Sequence, residues 1–133
     1  MSPKRPRKTP DRIRVLIADD HRLFAQALEA VLGGEERFEV VGFARNGREA
    51  IGLVQELEPD VTLMDLSMPV LDGVEATREI RKSLPGARIL MLTGSNAPND
   101  VDRARAAGAS GYVTKDRIAG ELIQAILDIV EPS

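Results

Sequence analysis

Two adjacent aspartates, Asp19 and Asp20, stand directly behind the apolar run "IRVLIA" (13–18), and His21 follows them. Carboxylates set side by side at the end of a buried strand repel one another, and burial sharpens the repulsion. Positive charge must therefore gather with them. Further along, Asp65 ends "VTLMD", Thr93 ends "RILMLT" and Lys115 ends "SGYVTK". Taken singly, each has an ordinary structural role. An Asp after a strand caps a helix, a threonine serves a loop, and a lysine is solvated. Taken together, three carboxylates, a hydroxyl and an ammonium suit a hard divalent cation, Mg²⁺ above all, and a set of phosphoryl oxygens. The chain has no G-x-x-x-x-G-K-[ST] and no G-x-G-x-x-G, so a nucleotide is not the expected ligand. One carboxylate could instead accept the phosphoryl group itself, as an aspartyl phosphate. Asp65 sits alone on its strand and is the candidate acceptor; Asp19 and Asp20 are then left for the metal.

These groups meet only if the elements carrying them share one rim. The chain alternates short branched runs with stretches of helical spacing. Strands are expected at 13–18, 38–44, 61–65, 88–93 and 110–115. Helices are expected at 22–32, 47–58, 74–84, 100–108 and 118–130, with Gly33-Gly34, Pro59 and Pro85-Gly86 ending the first three. Strands apolar throughout and alternating with helices imply a parallel sheet covered on both faces. The fold expected is α/β, a flavodoxin-like (βα)5 doubly wound sheet in the order 2-1-3-4-5. That order makes strands one, three, four and five neighbours and brings all five groups to the carboxyl ends.

At 133 residues, 43% of them hydrophobic, the chain is sized for one domain with a single core. It has no cysteine, which excludes disulfides and thiolate chemistry. No apolar run approaches the roughly 18 residues of a membrane span, and the start lacks a secretory h-region. A cytoplasmic protein away from membranes is expected. Residues 1–12 hold five Lys/Arg against one Asp, leaving the rest near −7 of the net −3. Their three prolines and lack of periodicity read as a disordered basic tail. It could touch nucleic acid, but no second basic patch supports that, and a solubilising leader is the preferred reading.

"ADDH", "LMDLSMPVLDG", "LTGS" and "GYVTKD" resemble, in order and separation, the receiver domain of two-component response regulators. The resemblance covers 13–131. "DDHRLF", "MDLSMPVLDGVEATREIR" and "GASGYVTKD" look most like the NarL/FixJ subfamily, whose members carry a LuxR-type helix-turn-helix. It implies a phosphorylation-dependent switch, not an enzyme beyond its own phosphotransfer and dephosphorylation. Asp65 would accept a phosphoryl group from a sensor histidine kinase. Asp20, Asp65 and the Ser67 carbonyl would bind Mg²⁺ directly, and Asp19 through water. Lys115 would pair with phosphoryl oxygens, Thr93 would donate to one, and Tyr112 would be the switch aromatic.

Three features depart from the family pattern. Gly94 follows Thr93 where a small side chain is usual, and Asp116 follows Lys115 where many receivers have a proline, often after a cis bond, so a cis bond there is not assured. The chain stops at "IVEPS" with no effector domain, so DNA would be reached only through a part absent here. That fits a truncated chain better than a stand-alone receiver. A haloacid-dehalogenase-type phosphatase would need a carboxylate two residues after the first; Ser67 stands there. A docking-only module would not keep the whole set. His21 is expected to start the first helix, facing solvent. On the last helix, apolar residues fill about 200 degrees, wider than the stripe a surface helix needs. The excess around Ile123, Leu127 and Val130 is either deep packing or a partner surface, such as a homodimer through the first and last helices.

Overall fold

The computed structural model describes residues 12–94 and 98–131. Five strands run parallel: β1 (Ile13–Ala18), β2 (Phe38–Ala44), β3 (Val61–Asp65), β4 (Ile89–Thr93) and β5 (Gly111–Thr114). Their order is β2-β1-β3-β4-β5, as expected. Five helices alternate with them: α1 (Arg22–Gly33), α2 (Gly47–Leu57), α3 (Gly73–Ser83), α4 (Pro98–Ala106) and α5 (Ile118–Val130).

Alternation along each strand builds two cores, one on each face. Val15, Ile17, Leu63, Leu90, Leu92 and Val113 pack with Leu28 and Leu32 of α1 and with Leu122 and Ile126 of α5. Leu16, Ala18, Met64, Ile89 and Met91 pack with α2, α3 and α4 through Val54, Ile80 and Ala104. Both sets of alternate side chains are thus buried, so the strands read as continuous apolar runs.

Helix starts fix where the loops turn. Asn46 accepts a hydrogen bond from Glu49 N–H at 2.9 Å, and Glu49 Oε1 accepts from Arg45 N–H at 2.9 Å. Asp72 likewise caps α3, accepting from Glu75 N–H at 2.9 Å. Helix α4 begins two residues earlier than expected, at Pro98. Strand β5 stops at Thr114, and Lys115 opens a 3₁₀ turn, Lys115–Arg117, that leads into α5.

One expectation is corrected, and of the two readings open for the last helix the packed one is seen. Arg12, assigned to the tail, is anchored: its guanidinium donates to the carbonyls of Glu36 at 3.0 Å and Phe38 at 2.6 Å. The remainder of the expected basic tail, 1–11, lies outside the described residues. Ile123, Leu127 and Val130 are half-buried and packed against the first core. Helix α5 covers β5, β4 and β3 and also touches α1, so a wide apolar arc is what its place demands. The large apolar side chains that do face solvent include Leu23 and Val70.

Candidate functional site

Parallel strands end on one rim, and the register sets which residues arrive there together. Ala18 lies opposite Met64, and Asp65 opposite Leu92. The next residues, Asp19 and Thr93, therefore flank Asp65 on either side. Thr93 lies opposite Thr114, which brings Lys115 to the same rim. Asp19, Asp65 and Thr93 are buried, Asp20 is exposed, and Lys115 keeps 23% of its side chain accessible.

Lys115 Nζ lies 3.4 Å from Asp19 Oδ2 and 3.3 Å from Asp65 Oδ2. This is the positive charge that the adjacent carboxylates required. Asp65 Oδ2 is fully enclosed but accepts no hydrogen bond from the described residues. Among the described residues, Asp65 Oδ1 receives a single long bond, from Ser67 N–H at 3.4 Å. Burial pushes the Asp65 carboxyl up to about 6, helped by the Asp19 charge and opposed by Lys115.

That shift has a direction in stability. The folded carboxyl titrates at about 6 against an ordinary 3.8, so between those values the native state holds a proton that the unfolded chain has lost. Stability therefore falls as pH rises through that window, and the deficit is full above pH 6. In metal-free buffer, Asp65→Asn should unfold later than wild type at pH 7, by on the order of 2 kcal/mol. The gap should close by about pH 4. Urea midpoints across that range check it.

His21 does not simply face solvent. Its ring exposes 66% of its surface, yet Nδ1 lies 3.2 Å from Asp19 Oδ1, 3.3 Å from Asp20 Oδ1 and 3.9 Å from Asp65 Oδ2. Ligand atoms of Asp19, Asp20, His21 and Asp65 all fall within 4.8 Å of one another. Three carboxylates around an enclosed, unbonded oxygen fit a hard divalent cation such as Mg²⁺. Ser67 follows in the exposed loop beside them.

Sequence reasoning missed two residues here. The Phe24 ring centroid lies 4.4 Å from Lys115 Nζ. An aromatic in the first turn after "DDHR" was the available clue, but its partner is set by tertiary structure. Val70 has φ 69°, and Leu71 N–H donates to the Pro69 carbonyl at 2.7 Å, closing a γ-turn over it. A β-branched residue resists that conformation. Val70→Gly should raise stability by about 1 kcal/mol, read from the urea midpoint.

Tyr112, the expected switch aromatic, is half-buried on β5 beside the second core. The segment after Gly94 that Thr93 would move lies, at 95–97, outside the described residues. The Lys115–Asp116 bond is trans, and no cis bond occurs among the described residues.

A 2-1-3-4-5 sheet with an acid cluster and a lysine at its carboxyl rim defines the flavodoxin-like, CheY-like class. Within that class, residues 15–127 match the response regulator receiver domain, and the chain belongs to that family. It is 40% identical over 117 residues to the transcriptional regulatory protein LnrK of Bacillus subtilis, covering 88% of this chain and 53% of LnrK. The chain spans about half the length of the curated relatives it matches. The NarL signal receiver domain from Mycobacterium tuberculosis superposes with a TM-score of 0.86 at 34% identity, over 93% of this chain and all of that one. A LuxR-family two-component response regulator from Aurantimonas also gives 0.86, at 38% identity over 90% and 85%. The relatives are thus regulators of the NarL and LuxR type, as the sequence resemblance implied. Among the described residues, no helix is long and apolar enough to cross a membrane.

Proposed function

We propose that this chain is a cytoplasmic, phosphorylation-dependent switch in which Asp65 accepts a phosphoryl group from a phosphohistidine of a sensor kinase. The observation that carries this is Asp65 Oδ2: enclosed, without a hydrogen bond from the described residues, and 3.3 Å from Lys115 Nζ. The Asp65 carboxylate attacks phosphorus, an O–P bond forms, and the N–P bond of the donor breaks. The departing imidazole nitrogen takes a proton from water. Lys115 neutralises charge on the phosphoryl oxygens, and the Thr93 hydroxyl donates to one of them. Asp19, Asp20, Asp65 and Ser67 would hold Mg²⁺ at this rim. When bound, Mg²⁺ supplies the positive charge that lets carboxylates and phosphoryl oxygens share one rim.

The phosphoryl group adds roughly −1.5 to −2 charge and three acceptor oxygens. Thr93 and Lys115 satisfy those acceptors by closing on Asp65, and Tyr112 follows Thr93. The readout is a helix-turn-helix domain outside this chain, which would carry DNA binding and transcription control. Pairing of two receivers through α1 and α5 belongs to the same proposal. Residues 13–131 form the receiver, Arg12 anchors its start, and 1–11 are a basic tail. Intact mass after treatment with acetyl phosphate and Mg²⁺ tests the reading. One added phosphoryl group is expected, and an unchanged mass would overturn it.

A further inference from the structure

We propose that Phe24 is a positioning residue for Lys115, its ring face seating the ammonium that grips the phosphoryl group. This rests on the phosphoacceptor reading above. Lys115 Nζ stands 4.4 Å from the Phe24 ring centroid, well inside the reach of a cation–π contact. The same nitrogen lies 3.4 Å from Asp19 Oδ2 and 3.3 Å from Asp65 Oδ2. Two carboxylate oxygens and one ring face thus hold it.

Each partner does something different. A lysine ammonium is a point charge on a flexible four-carbon stem, with three donors free to rotate. The carboxylates alone would draw it onto whichever oxygen is nearest. The ring attracts the charge through its quadrupole and takes no directed hydrogen bond. All three donors stay available for oxygens. When the Asp65 carboxylate gains a phosphoryl group, the ammonium has to move outward to the new oxygens. A ring face, with little directional demand, lets it make that shift without losing its support. An aliphatic side chain at 24 would cover the lysine stem but not attract the charge.

Phe24 also packs against the first core, so a bulk role has to be separated from an electrostatic one. Fluorinated phenylalanines do this, because they keep the shape of the ring and weaken its quadrupole stepwise. The protein carrying Phe, 4-fluoro-Phe or pentafluoro-Phe at 24 is titrated with beryllofluoride and Mg²⁺ by calorimetry. The Lys115 ammonium proton resonance is followed in parallel. Affinity for beryllofluoride should fall in steps along the series, by roughly 3- to 30-fold at pentafluoro-Phe. Phe24→Leu should lose as much, and Phe24→Tyr and Phe24→Trp should restore it. The ammonium resonance should show the ring's upfield shift in wild type and lose it in Phe24→Leu.

Equal affinity along the fluorinated series, with loss only in Phe24→Leu, would make Phe24 plain packing and overturn the proposal. Lys115→Met separates the two levels. If it abolishes beryllofluoride binding while the fluorinated series does not respond, the phosphoacceptor reading stands and the role of Phe24 falls. If Lys115→Met binds like wild type, the reading itself falls, and the seat for its ammonium falls with it.

Discussion

Asp65→Asn should take up no phosphoryl group from acetyl phosphate and Mg²⁺ under conditions that label wild type fully. An amide oxygen is a poor nucleophile toward phosphorus, and Asn cannot complete the carboxylate set around a divalent cation. The other two carboxylates are poor substitutes. Asp19 is buried and already engaged by Lys115, His21 N–H and the His21 ring. Asp20 is exposed and lacks a lysine partner among the ion pairs described. The loss is not through unfolding, because removing the buried charge should stabilise the variant at neutral pH. The measurement is intact mass, with peptide mapping of any residual label. Label persisting at Asp19 or Asp20 in this variant would move the acceptor and overturn the mechanism.

Much of this site was legible because parallel strands turn sequence order into spatial order. Once five apolar runs alternate with helices, the residue ending each run is fixed to one rim. Asp19, Asp65, Thr93 and Lys115 needed no further information. What failed depends on contacts that no period encodes. The ring of His21 folds back over the acids because the chain turns sharply there, with His21 N–H bonded to Asp19 Oδ1 at 2.8 Å. Phe24 meets Lys115 only because the lysine ammonium reaches across the rim to Asp19 and Asp65, beside the start of α1. The arc on α5 looked too wide because a helical wheel assumes one packing surface. Here the helix is packed by both the sheet and α1. Lys115 was read as the last residue of a strand, whereas the backbone turns at Thr114. That one-residue difference leaves the ammonium on the rim either way.

Gly73 shows how closely the acceptor is built into the fold, and Gly73→Ala should have the second-largest effect of any substitution considered. In "LDG" the glycine reads as a turn residue, yet the demand on it is one of space. A Cβ there would lie 1.9 Å from the Asp65 carbonyl oxygen and 3.0 Å from Met64 Cγ. Its N–H donates to the Leu66 carbonyl at 2.9 Å, which fastens the start of α3 against the end of β3. Neither partner can yield cheaply, because one is backbone in a five-strand sheet and the other is fully buried. Overpacking of this kind costs about 1–3 kcal/mol and often more against rigid backbone. The strain falls on the peptide that carries Asp65, so phosphoryl uptake should drop along with stability. Gly52→Ala is the contrasting control. Gly52 sits within α2, and a Cβ there meets nothing within 4 Å. Helix propensity alone should then stabilise that variant by about 0.5–1 kcal/mol and leave labelling unchanged. Urea midpoints and the initial rate of mass gain separate the two glycines. Gly73→Ala behaving like Gly52→Ala would mean that α3 can slide away from β3 without disturbing Asp65.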